Sequence, residues 1–181
     1  MINNKKTAFF SSKLNYWLEL VFDIVFLAAL LAYTIITFEF TMYEILGSIL
    51  VGVVIWTLLE YFFHYWMFHA SPFRAFRRGH AKHHVDPKGF DALPFFLPAM
   101  IFSAIAYGLY LVMPVHLALL ITNVIVAGYF YYGLIHVAIH HVERDNIFLD
   151  RLKAYHELHH QVPSKYFGVT TSFWDIIFRT R

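Results

Sequence analysis

The chain has 181 residues, 59% of them hydrophobic and 14% charged, where an ordinary soluble domain carries about 25% charged residues. That excess of apolar surface indicates a polytopic membrane protein, read here as one domain over residues 1–181. With no cysteine there is no disulfide framework, thiolate nucleophile or iron–sulfur cluster, and a net charge of only +2 points to no nucleic-acid partner.

In chain order, a polar, basic segment (Met1 to Lys13) precedes four apolar stretches: Tyr16–Phe38, Tyr43–Phe68, Leu93–Val112 and Val115 to about Ile139. A hydrocarbon core of about 30 Å takes roughly 20 helical residues, so the predicted fold is all-α and integral to the membrane, with four transmembrane helices. Tight turns are expected at Glu39–Thr41 and at Met113–Pro114, where proline suits a break. Both lack Lys and Arg. The other polar regions are basic: Lys5, Lys6 and Lys13 at the start, then Arg74, Arg77, Arg78, Lys82 and Lys88, then Arg144, Arg151, Lys153, Lys165, Arg179 and Arg181. Four crossings put all three basic regions on one face, which the positive-inside rule assigns to the cytoplasm together with both termini. The last polar region predicts a helix from about Asn146 to His160, ended by Pro163. A short amphipathic piece, Gly168–Phe178, then suits a membrane surface or a packed cap.

Ten of the twelve histidines fall into four groups: His64 with His69, His80 with His83 and His84, His136 with His140, and His156 with His159 and His160. Offsets of three and four share one helical face. His64 and His69 do not, because five residues turn an ideal helix by about 140° beyond a full turn, so a bend or helix end is expected between them. The crossing pattern brings all ten to one face, as a cytosolic helical cap over the bundle. Neutral imidazoles suit Zn, Fe, Cu or Ni, about four or five to an ion. Ten are too many for one ion and suit two. Zinc alone lacks the second oxidation state that O₂ chemistry needs, so bound zinc would be a stand-in for iron.

His116, near the opposite end of the spans, reads as structural, and His141 leans the same way despite its place beside the cluster. Phe62, Phe63, Trp66, Phe95, Phe96, Tyr131 and Tyr132 are candidates to line an acyl channel, although interfacial anchoring and core packing account for any one of them more readily. Asp175 and Glu157 are candidates to hydrogen-bond the outer nitrogens of ligand histidines. A metal transporter would carry polar ligands at mid-span, where these stretches are apolar, and a haem carrier needs only one or two axial histidines.

The segments EYFFHYWMFH (Glu60–His69), GHAKHH (Gly79–His84), HVAIH (His136–His140), YHELHH (Tyr155–His160) and YFGVTTSFWDIIFRT (Tyr166–Thr180) resemble the fatty acid hydroxylase superfamily, which includes sterol desaturase-like and carotene hydroxylase-like enzymes. The resemblance runs from about residue 15 onward, and all ten histidines match the pattern of its fatty acid 2-hydroxylases. It implies a non-haem centre of two iron ions held by those ten residues, using O₂ and two electrons to hydroxylate a membrane lipid, a fatty acid or sphingolipid acyl chain at its 2-position. Sterol or carotenoid hydroxylation or desaturation is the alternative within the superfamily. The fused cytochrome b5-like domain of fungal and animal 2-hydroxylases is not found here, so a separate electron donor, cytochrome b5-like, ferredoxin or reductase, is expected.

Overall fold

The computed structural model describes residues 12–90, 92–143 and 146–181, all helix, turn or coil. Lys5, Lys6 and Arg144, assigned above to the basic face, lie outside the described residues. The helices are α1 (Lys13–Thr37), α2 (Met42–Phe62) continuing as a π-helical segment (Phe63–Ala70), α3 (Arg74–Val85), α4 (Leu97–Tyr110), α5 (Val115–His141), α6 (Ile147–Gln161) and α7 (Phe173–Ile177). They divide between two compact units. One comprises Met1–Trp56 and Ala92–Phe130, the other Thr57–Asp91 and Tyr131–Arg181.

Among the described residues, three helices are long and apolar enough to cross a membrane: Lys13–Thr37, Met42–Ala70 and Val115–His141. The fourth expected stretch, Leu93–Val112, is helical only over its 14 residues Leu97–Tyr110, about 21 Å at 1.5 Å per residue. Two prolines explain the late start. Pro98 lies in the first turn, where its missing N–H costs nothing, and Pro94 precedes the helix, its carbonyl accepting from Leu97 N–H at 2.7 Å. The non-helical Leu93–Phe96 segment, which ends in a turn, is held by a side chain. Asn15, fully buried, donates to the Leu93 carbonyl at 2.7 Å and accepts from Phe95 N–H at 3.2 Å.

Further polar pairs fix the first unit. Tyr129 on α5 donates to Glu19 on α1 at 2.6 Å, and Asn123 donates to Thr34 Oγ1 at 2.9 Å. Buried apolar surroundings strengthen such bonds and make an unpaired partner costly. Gly128 lies directly against the Trp56 ring, so that even a methyl group there would overlap the indole. The α1–α2 turn closes with a reciprocal cap, Thr41 N–H and Oγ1–H both donating to Glu44 Oε2 at 2.8 Å.

In the second unit α6 starts where expected, with the Asn146 side chain accepting from Phe148 and Leu149 N–H at 3.0 and 3.1 Å. It ends at Gln161, just before Pro163. The short α7 buries Asp175 and leaves Phe173, Ile176 and Ile177 exposed, with Phe178 exposed just after it. This is the amphipathic character read in the sequence.

Candidate metal centre

Four elements of the second unit carry the histidines. The π-helical segment resolves the awkward spacing of His64 and His69. Its i→i+5 hydrogen bonding sets residues five apart nearly above one another, and the two rings lie 5.4 Å apart by their centroids. The expected break is thus a widened turn rather than a bend or an end. On α5, His136 and His140 stand one turn apart with centroids at 4.8 Å.

The side chains sort into two sets of four. His64, His69, His80 and His159 form one, and His83, His136, His140 and His156 the other; within each set one nitrogen per ring lies within 4.8 Å of all the others. Each set takes two histidines from a long helix and one each from α3 and α6. The two H-x-x-H-H motifs are therefore split, each serving both sets. Their third members lie at the seam. His84 Nε2 sits 3.1 Å from His80 Nε2, His160 Nε2 sits 3.0 Å from His156 Nε2, and the His84 and His160 rings are 4.5 Å apart. All ten histidines are thus gathered in one cluster. His141 is exposed and in neither set, while His116, in the first unit, faces Glu44 at 3.2 Å.

Burial, joined at most of them by neighbouring imidazoles, pushes the α3 and α6 rings below the ordinary histidine range. Burial first, then His140 and His160, pushes His83 down to about 3. Burial, with His159 and His160 beside it, takes His84 to about 4. His159 is brought to about 4 by burial, against the pull of its bond to the Lys165 carbonyl. His80 and His156 are lowered further by the same two causes, and His160 is lowered by burial. A neutral imidazole is the form that ligates a metal.

Two rings show which nitrogen is bare. His64 Nδ1 lies 2.6 Å from the Phe167 carbonyl and His159 Nδ1 lies 2.7 Å from the Lys165 carbonyl. A carbonyl only accepts, so both protons are on Nδ1 and both Nε2 atoms present lone pairs to the first set. Convergent neutral nitrogens with outward-bonded N–H groups fit a divalent transition metal.

A pH response follows. Unfolded histidines titrate near 6.5, above the folded values of about 3 for His83 and about 4 for His84 and His159. The unfolded chain binds more protons below about pH 6.5, so stability present above that pH is lost as pH falls through the folded values. We expect the melting temperature of metal-free protein in detergent to be flat near pH 8 and to fall steadily from about pH 6.5 towards 4. A rise on acidification contradicts the arrangement.

The carbonyls of Lys165 and Phe167, invisible to a search for side-chain motifs, are held by a strap. Tyr166 between them has a positive φ of 60°, and its N–H donates to the Thr180 carbonyl at 2.7 Å. Asp175, fully buried, accepts from Phe167 N–H at 2.9 Å, Gly168 N–H at 2.8 Å and Thr180 Oγ1–H at 2.7 Å. It therefore holds the strap, whereas the sequence had suggested a bond to a histidine ring. Glu60, one helical turn before His64, accepts from Val169 N–H and Thr170 N–H at 2.7 Å and from the Thr170 hydroxyl. Two buried carboxylates thus occupy four consecutive amides. Glu157 accepts from Gln161 at 3.4 Å, and its charge favours protonation of His160. Of the aromatic candidates, Tyr132 stacks on His136 at 5.7 Å. Phe62, Trp66, Phe96 and Tyr131 are exposed, and Phe95 packs on Phe22. Phe68, stacked on His80 at 5.1 Å, was not anticipated.

The model of the fatty acid hydroxylase family matches residues 49–180. Among curated proteins, the ceramide very long chain fatty acid hydroxylase scs7 of Schizosaccharomyces pombe is 31% identical over 147 residues, 72% of this chain and 41% of the relative. A dihydroceramide fatty acyl 2-hydroxylase of Arabidopsis thaliana is 32% identical over 139 residues, 71% of this chain and 58% of that protein. The human fatty acid 2-hydroxylase is 29% identical over 147 residues, 74% and 39% respectively. The chain therefore spans about 40–60% of the length of these relatives. The solved structure of full-length scs7p, with only its hydroxylase domain visible, superposes with a TM-score of 0.75 at 26% identity, covering 91% of this chain and 66% of that one. The histidine motifs, their convergence and the family match agree, and the chain belongs to the fatty acid hydroxylase family.

Proposed function

We propose that this chain is an O₂-dependent lipid hydroxylase that adds one oxygen to a membrane acyl chain, at the 2-position of a fatty acid or sphingolipid. The observation that carries the reading is the pair of four-imidazole sets, each with nitrogens within 4.8 Å of one another, in a chain whose named relatives are fatty acyl hydroxylases. Two iron ions fit: His64, His69, His80 and His159 hold one, His83, His136, His140 and His156 the other, with His84 and His160 as the fifth ligand of each. Iron at these positions would supply the O₂ reduction and C–H oxidation that no side chain can perform. The balance is one C–H bond, O₂, two electrons and two protons giving one C–OH and water. A separate donor, cytochrome b5-like, ferredoxin or reductase, delivers the electrons.

The protein's own part is placement. Phe167 and Lys165 carbonyls orient His64 and His159, while the Phe68 and Tyr132 rings cover His80 and His136. Aromatic cover excludes water from the reacting region. An acyl chain arriving from the bilayer needs no aqueous transfer, which would cost about 0.8 kcal/mol per CH₂.

Four crossings and a cytoplasmic centre belong to the same proposal. The apolar α4 is the element we assign to the remaining crossing between α2 and α5. The α3 and α6 regions bear the exposed Arg74, Arg77, Arg78, Arg151 and Lys153, which the positive-inside rule places in the cytoplasm.

Lipid analysis of cells expressing this chain under ¹⁸O₂ tests the function. We expect 2-hydroxy acyl chains carrying one ¹⁸O, absent from cells expressing the His83→Ala, His159→Ala double variant. Acyl chains two hydrogens lighter would instead identify a desaturase, and unchanged lipids would remove both readings.

A further inference from the structure

The two histidine sets are built alike, yet their surroundings differ. In the first set, two rings donate Nδ1–H to backbone carbonyls at 2.6 and 2.7 Å. In the second, the outer nitrogen of His156, Nδ1, is buried with no hydrogen-bond partner among the described residues, as is His84 Nδ1 at the seam. The difference has one source. The strap Lys165–Thr180 supplies both carbonyls, and both face the first set only.

Asp175 is the hub of that strap. Its two oxygens take the amides of Phe167 and Gly168 and the Thr180 hydroxyl, and Thr180 in turn takes Tyr166 N–H on its carbonyl. Tyr166 holds the positive φ that turns the 165 and 167 carbonyls to their two histidines. Carbonyl acceptors fix the ring tautomer and raise the basicity of the bare nitrogen, and losing such an outer partner commonly weakens metal binding about 10- to 100-fold.

Resting on the two-metal reading above, we propose that Asp175 is a positioning residue for one metal position alone, and that the two positions are consequently unequal. The ion among His64, His69, His80 and His159 is the firmly held one. The ion among His83, His136, His140 and His156 exchanges readily.

The test uses the full chain in detergent, loaded with cobalt(II) and challenged with excess chelator, with bound metal followed by absorption and elemental analysis. Wild-type protein should bind two ions and release them in two phases. In His140→Ala the single remaining ion should leave in the slow phase. Asp175→Asn, which sets an amide NH₂ against the donors of the strap, should speed the slow phase about tenfold or more and leave the fast phase unchanged. Thr180→Val, which removes one donor to Asp175, should do the same to a smaller extent and serves if the asparagine variant does not fold. Two ions leaving in one phase, an equal acceleration of both phases, or rapid release from His140→Ala overturns the inference while keeping the metal centre. A chain that binds no cobalt overturns the two-metal reading as well.

Discussion

Replacing His156 by alanine is expected to remove one of the two ions and to abolish the hydroxylated product. The ring is buried, its Nε2 stands 3.1 Å from His140 Nε2 and 3.0 Å from His160 Nε2, and its centroid lies 5.0 Å from that of His136. It thus joins the α6 motif to the α5 pair. Alanine is itself the strongest helix former, so α6 should persist and the loss should be chemical. Activity should fall by more than the roughly hundredfold typical of losing an outer partner, with metal content dropping from two ions to one. His116→Ala is the matching control, since that ring faces Glu44 in the other unit and its removal should leave metal content unchanged. A His156→Ala protein retaining two ions would show that the second set is not a metal position.

The second large effect is expected from a single methyl group. At Gly168 an added Cβ would overlap the Thr171 carbonyl oxygen and come within 3.0 Å of Asp175 Oδ2. Thr171 contributes backbone here, so the tight turn itself must open. Opening draws the Gly168 amide from Asp175 and swings the Phe167 carbonyl away from His64. We expect Gly168→Ala to cost on the order of 3 kcal/mol of stability and to lower metal retention, although no histidine is altered. Thermal unfolding in detergent and metal analysis on the same sample check it. Wild-type stability with full metal content would show that the turn yields freely.

Much of this was legible in the residues. Spacings of three and four identified the α3, α5 and α6 histidines as faces of helices, and the apolar stretches located α1, α2 and α5 within a few residues. Asn146 and Pro163 bounded α6 correctly. The rest was hidden for physical reasons. Whether three histidines on one helical face serve one ion or two depends on what stands opposite, so the division of both H-x-x-H-H motifs needed the tertiary arrangement. The outer partners of His64 and His159 are backbone carbonyls, which every residue possesses and no sequence marks. Asp175 was noticed as a carboxylate near the cluster, but that it grips the strap and not an imidazole follows only from the fold. The shortening of α4 came from Pro94 and Pro98, which hydropathy alone does not weigh.

The widened turn at Phe63–Ala70 bears on how such chains are compared. Two long helices deliver equivalent histidine pairs, one with three residues between them and one with four, so strict helical counting would accept His136 and His140 and reject His64 and His69. A single extra residue has been absorbed by letting the coil broaden locally instead of rotating everything after it. Ligand patterns in helices of this kind are therefore better searched with one position of slack.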